Sequence, residues 1–294
     1  CGVCIDACEE KRLSAGRDVL PAMKAVREAE GPAYMMVAPA FLGQFGDGIS
    51  PGQLRMAFKA LGFTGMVEVA LFADILTLKE ALEFDRHVKK QGDYQLTSCC
   101  CPVWIAMIRK IYHELMPHVP GAVSPMVACG RMIKRIHPDA VTVFAGPCLA
   151  KKKEAREPDI CDAVDHVLTF QEVLDIFKAA DIRPEEFEDS RKEHASKAGR
   201  LYARTGGVSR AVSEMVEQLR PDRSIAVRGE QANGTKECMA MIQRIKNKET
   251  DANFFEGMGC VGGCVGGPKA ILDRETGTQL VDEYGQEAPF KTPL

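Results

Sequence analysis

The chain has 294 residues, 46% hydrophobic and 27% charged, enough to pack a core in one large domain or two moderate ones. Its formal net charge of -3 shows no basic excess, which argues against a nucleic-acid partner. Apolar runs such as AYMMVAPAFLG fall far short of the ~20 residues of a membrane span, and no charged-then-apolar leader opens the chain, so a cytoplasmic location is expected.

The first predicted feature is CGVCIDAC. Cys1, Cys4 and Cys8 read as the last three cysteines of a C-x-x-C-x-x-C-x-x-x-C ferredoxin run, or as a small zinc knot. Residues 1–28 are therefore expected to be the remnant of a ferredoxin-like iron–sulfur segment and its linker, and residues 29–294 the main domain. RDVLPAMKAVREAEG has a helical pattern. Apolar runs and helical patterns then alternate: AYMMVAPA, GFTGMVEVAL before DILTLKEALEFDRHVKK, QLTSCCCP before VWIAMIRKIYHELM, and AVTVFAGPC before LAKKKEA. HVLTF precedes QEVLDIFKAAD, SIAVRG precedes GTKECMAMIQRIKN, and NFFEGMGC ends in a glycine-rich turn. This alternation predicts an α/β fold of parallel sheets flanked by helices. The polar run IRPEEFEDSRKEHASKAG is expected to be a solvated helix and linker between two lobes, with the metal cofactor in the crevice.

Twelve cysteines is a high number for this length, and they cluster as CGVC, CCC, GPC and CVGGC. Clustering without a secretion signal favours metal ligation over disulfides. TSCCCP, AGPC and EGMGC each fall where a predicted strand ends, the place where open parallel sheets bind ligands. Helix N-termini there suit an anionic cluster. Cys101, Cys148, Cys260 and Cys264 supply the four thiolates usual for a 4Fe–4S cluster. A four-cysteine zinc site normally uses paired C-x-x-C units, which this region lacks. Gly262 and Gly263 allow a tight turn between two thiols, and Gly266 and Gly267 are expected to hold the next turn close to the cofactor. In GPCLAKKKEA, Cys148, Lys151 and Glu154 share roughly one helix face. A lysine there can donate hydrogen bonds to anionic ligands.

TSCCCPVW, GPCLAKKKE and EGMGCVGGCVGG together resemble the three signatures of the FeFe-hydrogenase H-cluster domain, with further matches at VAPA and ARTGGV. The resemblance covers about residues 34 to 270 in the expected order. It implies an H-cluster, a 4Fe–4S cluster bridged to a diiron unit carrying CO, CN⁻ and a dithiolate. Cys101, Cys148, Cys260 and Cys264 would hold the 4Fe–4S part, with Cys264 bridging to the diiron part. Lys151, oriented by Glu154, would bind one cyanide, and the other would lie by Ala38 and Pro39. Met258 would pack on the diiron part, and Tyr202 stands where phenylalanine is usual. The implied reaction is reversible oxidation of H2 to protons and electrons, with a ferredoxin or an upstream iron–sulfur domain as redox partner and dedicated maturation proteins. A complete N-terminal segment would add further 4Fe–4S clusters.

The departures from the family pattern matter. The third cysteine of TSCCCP leaves a register choice. Anchoring on Pro102 and Trp104 makes Cys101 the ligand and Cys100 the proton-transfer thiol; anchoring on Thr97 and Ser98 moves both roles to Cys100 and Cys99. Proline favours the first helical position, which supports the first choice. Gly146 replaces a methionine and Ala40 a common serine. The family relays protons from the cysteine through glutamate, serine and a second glutamate. Glu80 and Glu83 sit one helical turn apart, but the serine position falls on Pro120, and the candidate bypass groups are Glu237 and Cys238. These departures resemble the branch of the family associated with H2 sensing, so slow turnover and a signalling partner are expected. The competing reading is an iron–sulfur assembly protein related to hydrogenases with no diiron unit.

Overall fold

The computed structural model describes residues 2–10, 12–98, 100–190 and 195–294, apart from the side chains of Val3 and Asp6. In chain order, α1 (Val3–Asp6) and α2 (Val19–Glu28) precede β1 (Ala33–Val37). Then follow α3 (Pro51–Ala60), β2 (Gly65–Glu68), α4 (Ala70–His87), β3 (Gln95–Leu96), α5 (Pro102–Lys110) and α6 (Pro125–Ile136). Next come β4 (Val141–Gly146), α7 (Ala150–Glu154), β5 (His166–Thr169), α8 (Phe170–Ala179), α9 (Lys197–Arg200) and α10 (Gly207–Leu219). The chain closes with β6 (Gly229–Asn233), α11 (Thr235–Asn247), β7 (Phe254–Met258) and α12 (Arg274–Gln286). No described helix is long and apolar enough to cross a membrane.

The strands form two sheets, ordered β2-β1-β4-β5 and β3-β7-β6, and every pairing is parallel. This is the expected α/β arrangement of two lobes. In the first, Met35, Met36, Val143, Phe144, Val167 and Leu168 are buried, as continuous apolar runs in a sheet covered on both faces must be. Phe45 meets Phe58, Phe170 and Phe177 edge-on or nearly so on one side. Sequence-local caps set the helix starts: Ser50 with Gln53 and Thr169 with Glu172 form capping boxes, and Pro51, Pro102 and Pro125 open their helices.

In the second lobe β7 shows period-two alternation. Phe254 and Met258 join the core under α4 and α10, whereas Phe255 joins Leu96, Trp104, Met241 and Ile242 on the other face. Gly257 lies on that second face because the Trp104 ring occupies its side-chain space; a Cβ there would sit 2.1 Å from the indole. α4 runs from the first sheet to the core of the second and packs on α9, α10 and α6.

Several expectations are corrected. The strand expected at SIAVRG lies at Gly229–Asn233 instead. It pairs only with β7, so one edge faces solvent and polar GEQAN is tolerated. The SIAVR segment is held by the Asn253 side chain, which accepts from Arg228 N at 2.7 Å and donates to Ala226 O at 3.0 Å. Among the described residues, the polar run after Ile182 contains one 3-10 turn, Pro184–Glu186, before α9. It docks on α3 rather than standing free: Ser50 donates to Asp189 at 2.8 Å and buried Arg55 to Ser190 O at 2.8 Å. Residues 191–194 of that run lie outside the described residues. α5 stops at Lys110, and a 3-10 turn, His113–His118, continues the chain. α12 had no counterpart in the sequence reading.

Candidate metal and cofactor site

The carboxyl ends of strands from both sheets converge on one crevice. A cavity of about 60 Å³ there is lined by Ala38 and Pro39 after β1, Cys100 after β3, Cys148 after β4 and Met258 at the end of β7. Lys151, Tyr202 and Cys264 complete its wall, with Phe144 and Met126 among the apolar contributors. This is the switch-point position expected for parallel sheets.

The four thiols of Cys101, Cys148, Cys260 and Cys264 come together. Burial pushes the Cys264 thiol well up, and Cys148, Cys101 and Cys260 add to it in that order, partly offset by Lys151. Burial and Cys101 likewise raise Cys148. A buried cluster of thiols is costly to ionise without a cation among them. Among the described residues no three His, Cys, Asp or Glu side chains form a cage for a single ion. Cys101 stands at the N-cap position of α5, and its Sγ accepts from Gly259 N at 3.3 Å. Cys100, not Cys101, lines the cavity; Cys99 lies outside the described residues.

The glycine-rich loop behaves differently from expectation. Gly262 and Gly263 do carry positive φ, +92° and +79°. Gly266 and Gly267, however, allow close approach of protein to protein, with would-be Cβ atoms 1.8 Å from Val261 O and 2.8 Å from Pro147 O. Asn233 Oδ1 accepts from Gly262 N at 2.5 Å and from Thr205 Oγ1 at 2.9 Å, which pins the loop to β6.

Lys151 is buried with its Nζ 2.6 Å from Glu154 Oε2. The contact is a close ion pair, and an ammonium carries three donors, so the buried Lys151 still has donors to give. Burial favours the neutral amine, but Glu154, Cys148 and Cys264 outweigh it and hold the pKa above its ordinary value. Tyr202 is buried, and its hydroxyl lies 2.9 Å from Thr77 Oγ1, which also reaches Ala73 O at 2.9 Å. The threonine has one proton, so when it donates to the carbonyl the tyrosine donates to it. Burial and then Glu80 hold this phenol protonated.

Gly146, where the family pattern has methionine, leaves room for the Phe144 ring; a Cβ would sit 2.7 Å from it. Glu80 is fully buried, and its Oε1 accepts from Ser98 N at 2.9 Å and Ser98 Oγ at 2.5 Å. Burial pushes its carboxyl up to about 7, against the Ser98 hydrogen bonds. Glu83 lies further out, paired with Arg86 at 3.0 Å and His87 at 3.2 Å, and shares a cleft with Pro120.

Glu237 and Cys238 lie outside the cleft that holds Glu83 and Pro120. Glu237 accepts from Asn233 N at 2.9 Å, and Cys238 is buried against the Met258 carbonyl, with its thiol pushed up to about 12 by burial first. Cys4 and Cys8 sit in the N-terminal segment, which abuts Leu149, beside Cys148, and Pro268. Cys1 lies outside the described residues. Sequence reasoning missed Thr77, Gln95 and Glu256. Glu256 is fully buried and accepts from Gly206 N at 2.8 Å and Ser209 N at 2.7 Å, anchoring the start of α10. Its place in EGM was the available signal.

Iron hydrogenase 1 of Clostridium pasteurianum is 28% identical over 258 residues, 74% of this chain and 45% of that protein, so the chain spans under half of that relative. Protein NAR1 of Arabidopsis thaliana is 21% identical over 95% of this chain and 70% of its own length. A solved [FeFe]-hydrogenase of Chlamydomonas reinhardtii superposes with a TM-score of 0.76 at 20% identity, covering 95% of this chain and 92% of that one, which shows a shared fold. Residues 32–268 match the family described as iron only hydrogenase large subunit, C-terminal domain. With the two parallel sheets and the converging cysteines, that match places the chain in the iron-only hydrogenase large-subunit family.

Proposed function

We propose that the chain holds an H-cluster and reversibly oxidises H2 to protons and electrons, slowly, in the service of H2 sensing. The observation that carries this reading is Lys151. A buried ammonium with donors to spare, lining an apolar cavity beside Cys148 and Cys264, is matched by anionic diatomic ligands lodged in that cavity, as a diiron unit carries. The remaining wall fits the same group: Met258, Pro39 and Phe144 exclude water, and the thiols of Cys101, Cys148, Cys260 and Cys264 would hold the 4Fe–4S part. When bound, the diiron unit supplies the binding and cleavage of H2. The chain orients it through Lys151, itself set by Glu154, and moves the proton outward through Cys100 and Glu80. Cys100 lining the cavity while Cys101 faces Gly259 supports the proline-anchored register.

The N-terminal segment, residues 1–28, is read as a ferredoxin-type electron entry. Cys4 shares a cleft with Leu149, the residue that follows Cys148 in the chain, which supports that reading. A ferredoxin-like donor, maturation proteins and a signalling partner belong to this proposal, as does the division at residue 29.

The second reading is an iron–sulfur assembly role, favoured by a relative named cytosolic iron-sulfur assembly component 3, of Pongo abelii, 22% identical over 88% of this chain and 65% of its own length. Infrared spectroscopy after anaerobic maturation separates the two. CO and CN⁻ stretching bands with slow H2 evolution are expected; a fully loaded 4Fe–4S protein without those bands overturns the hydrogenase reading. Within the banded protein, Cys100→Ala should lose H2 activity and keep the bands, whereas Cys101→Ala should lose iron.

A further inference from the structure

Pro120 removes the hydroxyl that would join Glu80 to Glu83, yet the surrounding structure offers another acceptor. Glu83, His87, Tyr94, Gln95, His118 and Pro120 line a cleft of about 240 Å³ on the outer side of α4. Gln95 is buried, and its Nε2 donates to the Glu80 carbonyl at 3.2 Å. That bond fixes the amide orientation, because a carbonyl can only accept. Gln95 Oε1 is therefore an acceptor, buried and without a hydrogen-bond partner among the described residues, and Glu80 Oε2 is in the same condition. Leaving such a group unmade costs about 1–3 kcal/mol, and Gln95 itself lines the polar cleft that holds Glu83 and Pro120, so one ordered water seated between the amide and the cleft would satisfy it.

We propose that Gln95 holds the water that passes protons from Glu80 to Glu83 in place of the missing hydroxyl, with the cleft bounded by His87 and His118 as the proton port. Glu80 gives a proton to the water, the water gives one of its own to Glu83, and the water is left unchanged. Glu83 hands the proton to the His87 imidazole, whose Nδ1 lies 3.2 Å away, or to solvent. Gln95 acts as a positioning residue, since its amide carries no titratable proton. The proposal rests on the H2-turnover reading above.

Two measurements test it. A water-resolving crystal structure of the cofactor-free protein should show a water bonded to Gln95 Oε1 inside the cleft; a dry Oε1 overturns the proposal. In the matured protein, Gln95→Met should slow H2/D2O exchange roughly tenfold or more with unchanged CO and CN⁻ bands. Gln95→Glu, which keeps the acceptor, should retain exchange, and Gln95→Met combined with Pro120→Ser should recover it. A merely structural role for Gln95 predicts no recovery from Pro120→Ser, and that outcome overturns the proposal. Absence of the bands in every variant would instead sink the cofactor reading, and the crystallographic water would still decide the role of Gln95.

Discussion

Lys151 and Glu154 show how much of the site depends on single side chains. Both are about nine-tenths buried, so removing one leaves the other as an uncompensated charge, a loss of about 3–5 kcal/mol. Lys151→Met alone therefore confounds folding with function. The double variant Lys151→Met with Glu154→Gln removes both charges and should stay folded with a full 4Fe–4S complement. It should show weakened or absent CO and CN⁻ bands after maturation, and wild-type bands would show that Lys151 does not hold the diiron ligands. Glu80 carries the clearest pH signature. Its carboxyl is raised by burial from 4.5 to about 7, so the native state binds more protons than the unfolded chain between those values. Its contribution to stability is fully present below about 4.5 and is lost as pH rises through about 7. At 1.36 kcal/mol per unit this amounts to about 3 kcal/mol. Glu80→Gln keeps an acceptor for Ser98 and has no charge to bury. By urea denaturation of the cofactor-free protein, the variant should gain on wild type as pH climbs across that window. A pH-independent difference would contradict the assignment.

Individual elements transmit these positions. α5 holds Cys101 at its N-terminus and presses Trp104 onto Gly257 of β7, while the indole Nε1 donates to Thr97 O at 3.2 Å. The ring is fixed on both sides, so a methyl at 257 has no room. Gly257→Ala should cost about 1–3 kcal/mol through overpacking. Because Gly259 N bonds Cys101 Sγ just beyond, it should also lower iron retained per chain. Thermal denaturation with an iron assay checks both, and unchanged iron with lowered stability would separate the helix position from the ligand position. α7 has only five residues and cannot hold itself. Lys152 braces it from the side away from the cavity, 3.0 Å from Glu172 and 3.3 Å from Asp18.

At the scale of the whole molecule, α12 ties the first sheet to the cysteine loop. Tyr284 donates to Glu68 at the end of β2 at 2.9 Å, and Arg200 stacks 3.7 Å above its ring. Arg204 pairs with Asp282 at 2.5 Å, and Arg274 fills the space that a side chain at Gly262 would need. Tyr284→Ala should therefore cost about 3–5 kcal/mol and loosen the loop between Cys260 and Cys264. Reconstituted protein should release iron to a chelator faster than wild type, and equal release rates would show that α12 does not brace the loop.

The alternation of apolar runs and helical patterns, and the order of TSCCCP, GPC and CVGGC, determined the parallel α/β class and which cysteines meet. Those signals are local: a strand's period, a proline at a helix start and a tight glycine turn are written in a few consecutive residues. Local signals were weaker for β6, where an edge strand pairs on one side and tolerates polar GEQAN, and for the run after Ile182, whose packing on α3 depends on residues some 135 positions away. Only the tertiary structure decided that Cys100 lines the cavity, that Glu237 bonds the backbone of β6, and that Gln95, with a buried acceptor left without a partner, lines the cleft holding Pro120. Burial and partnership across the chain are set by how two sheets and α4 come together, and no stretch of sequence contains that geometry by itself.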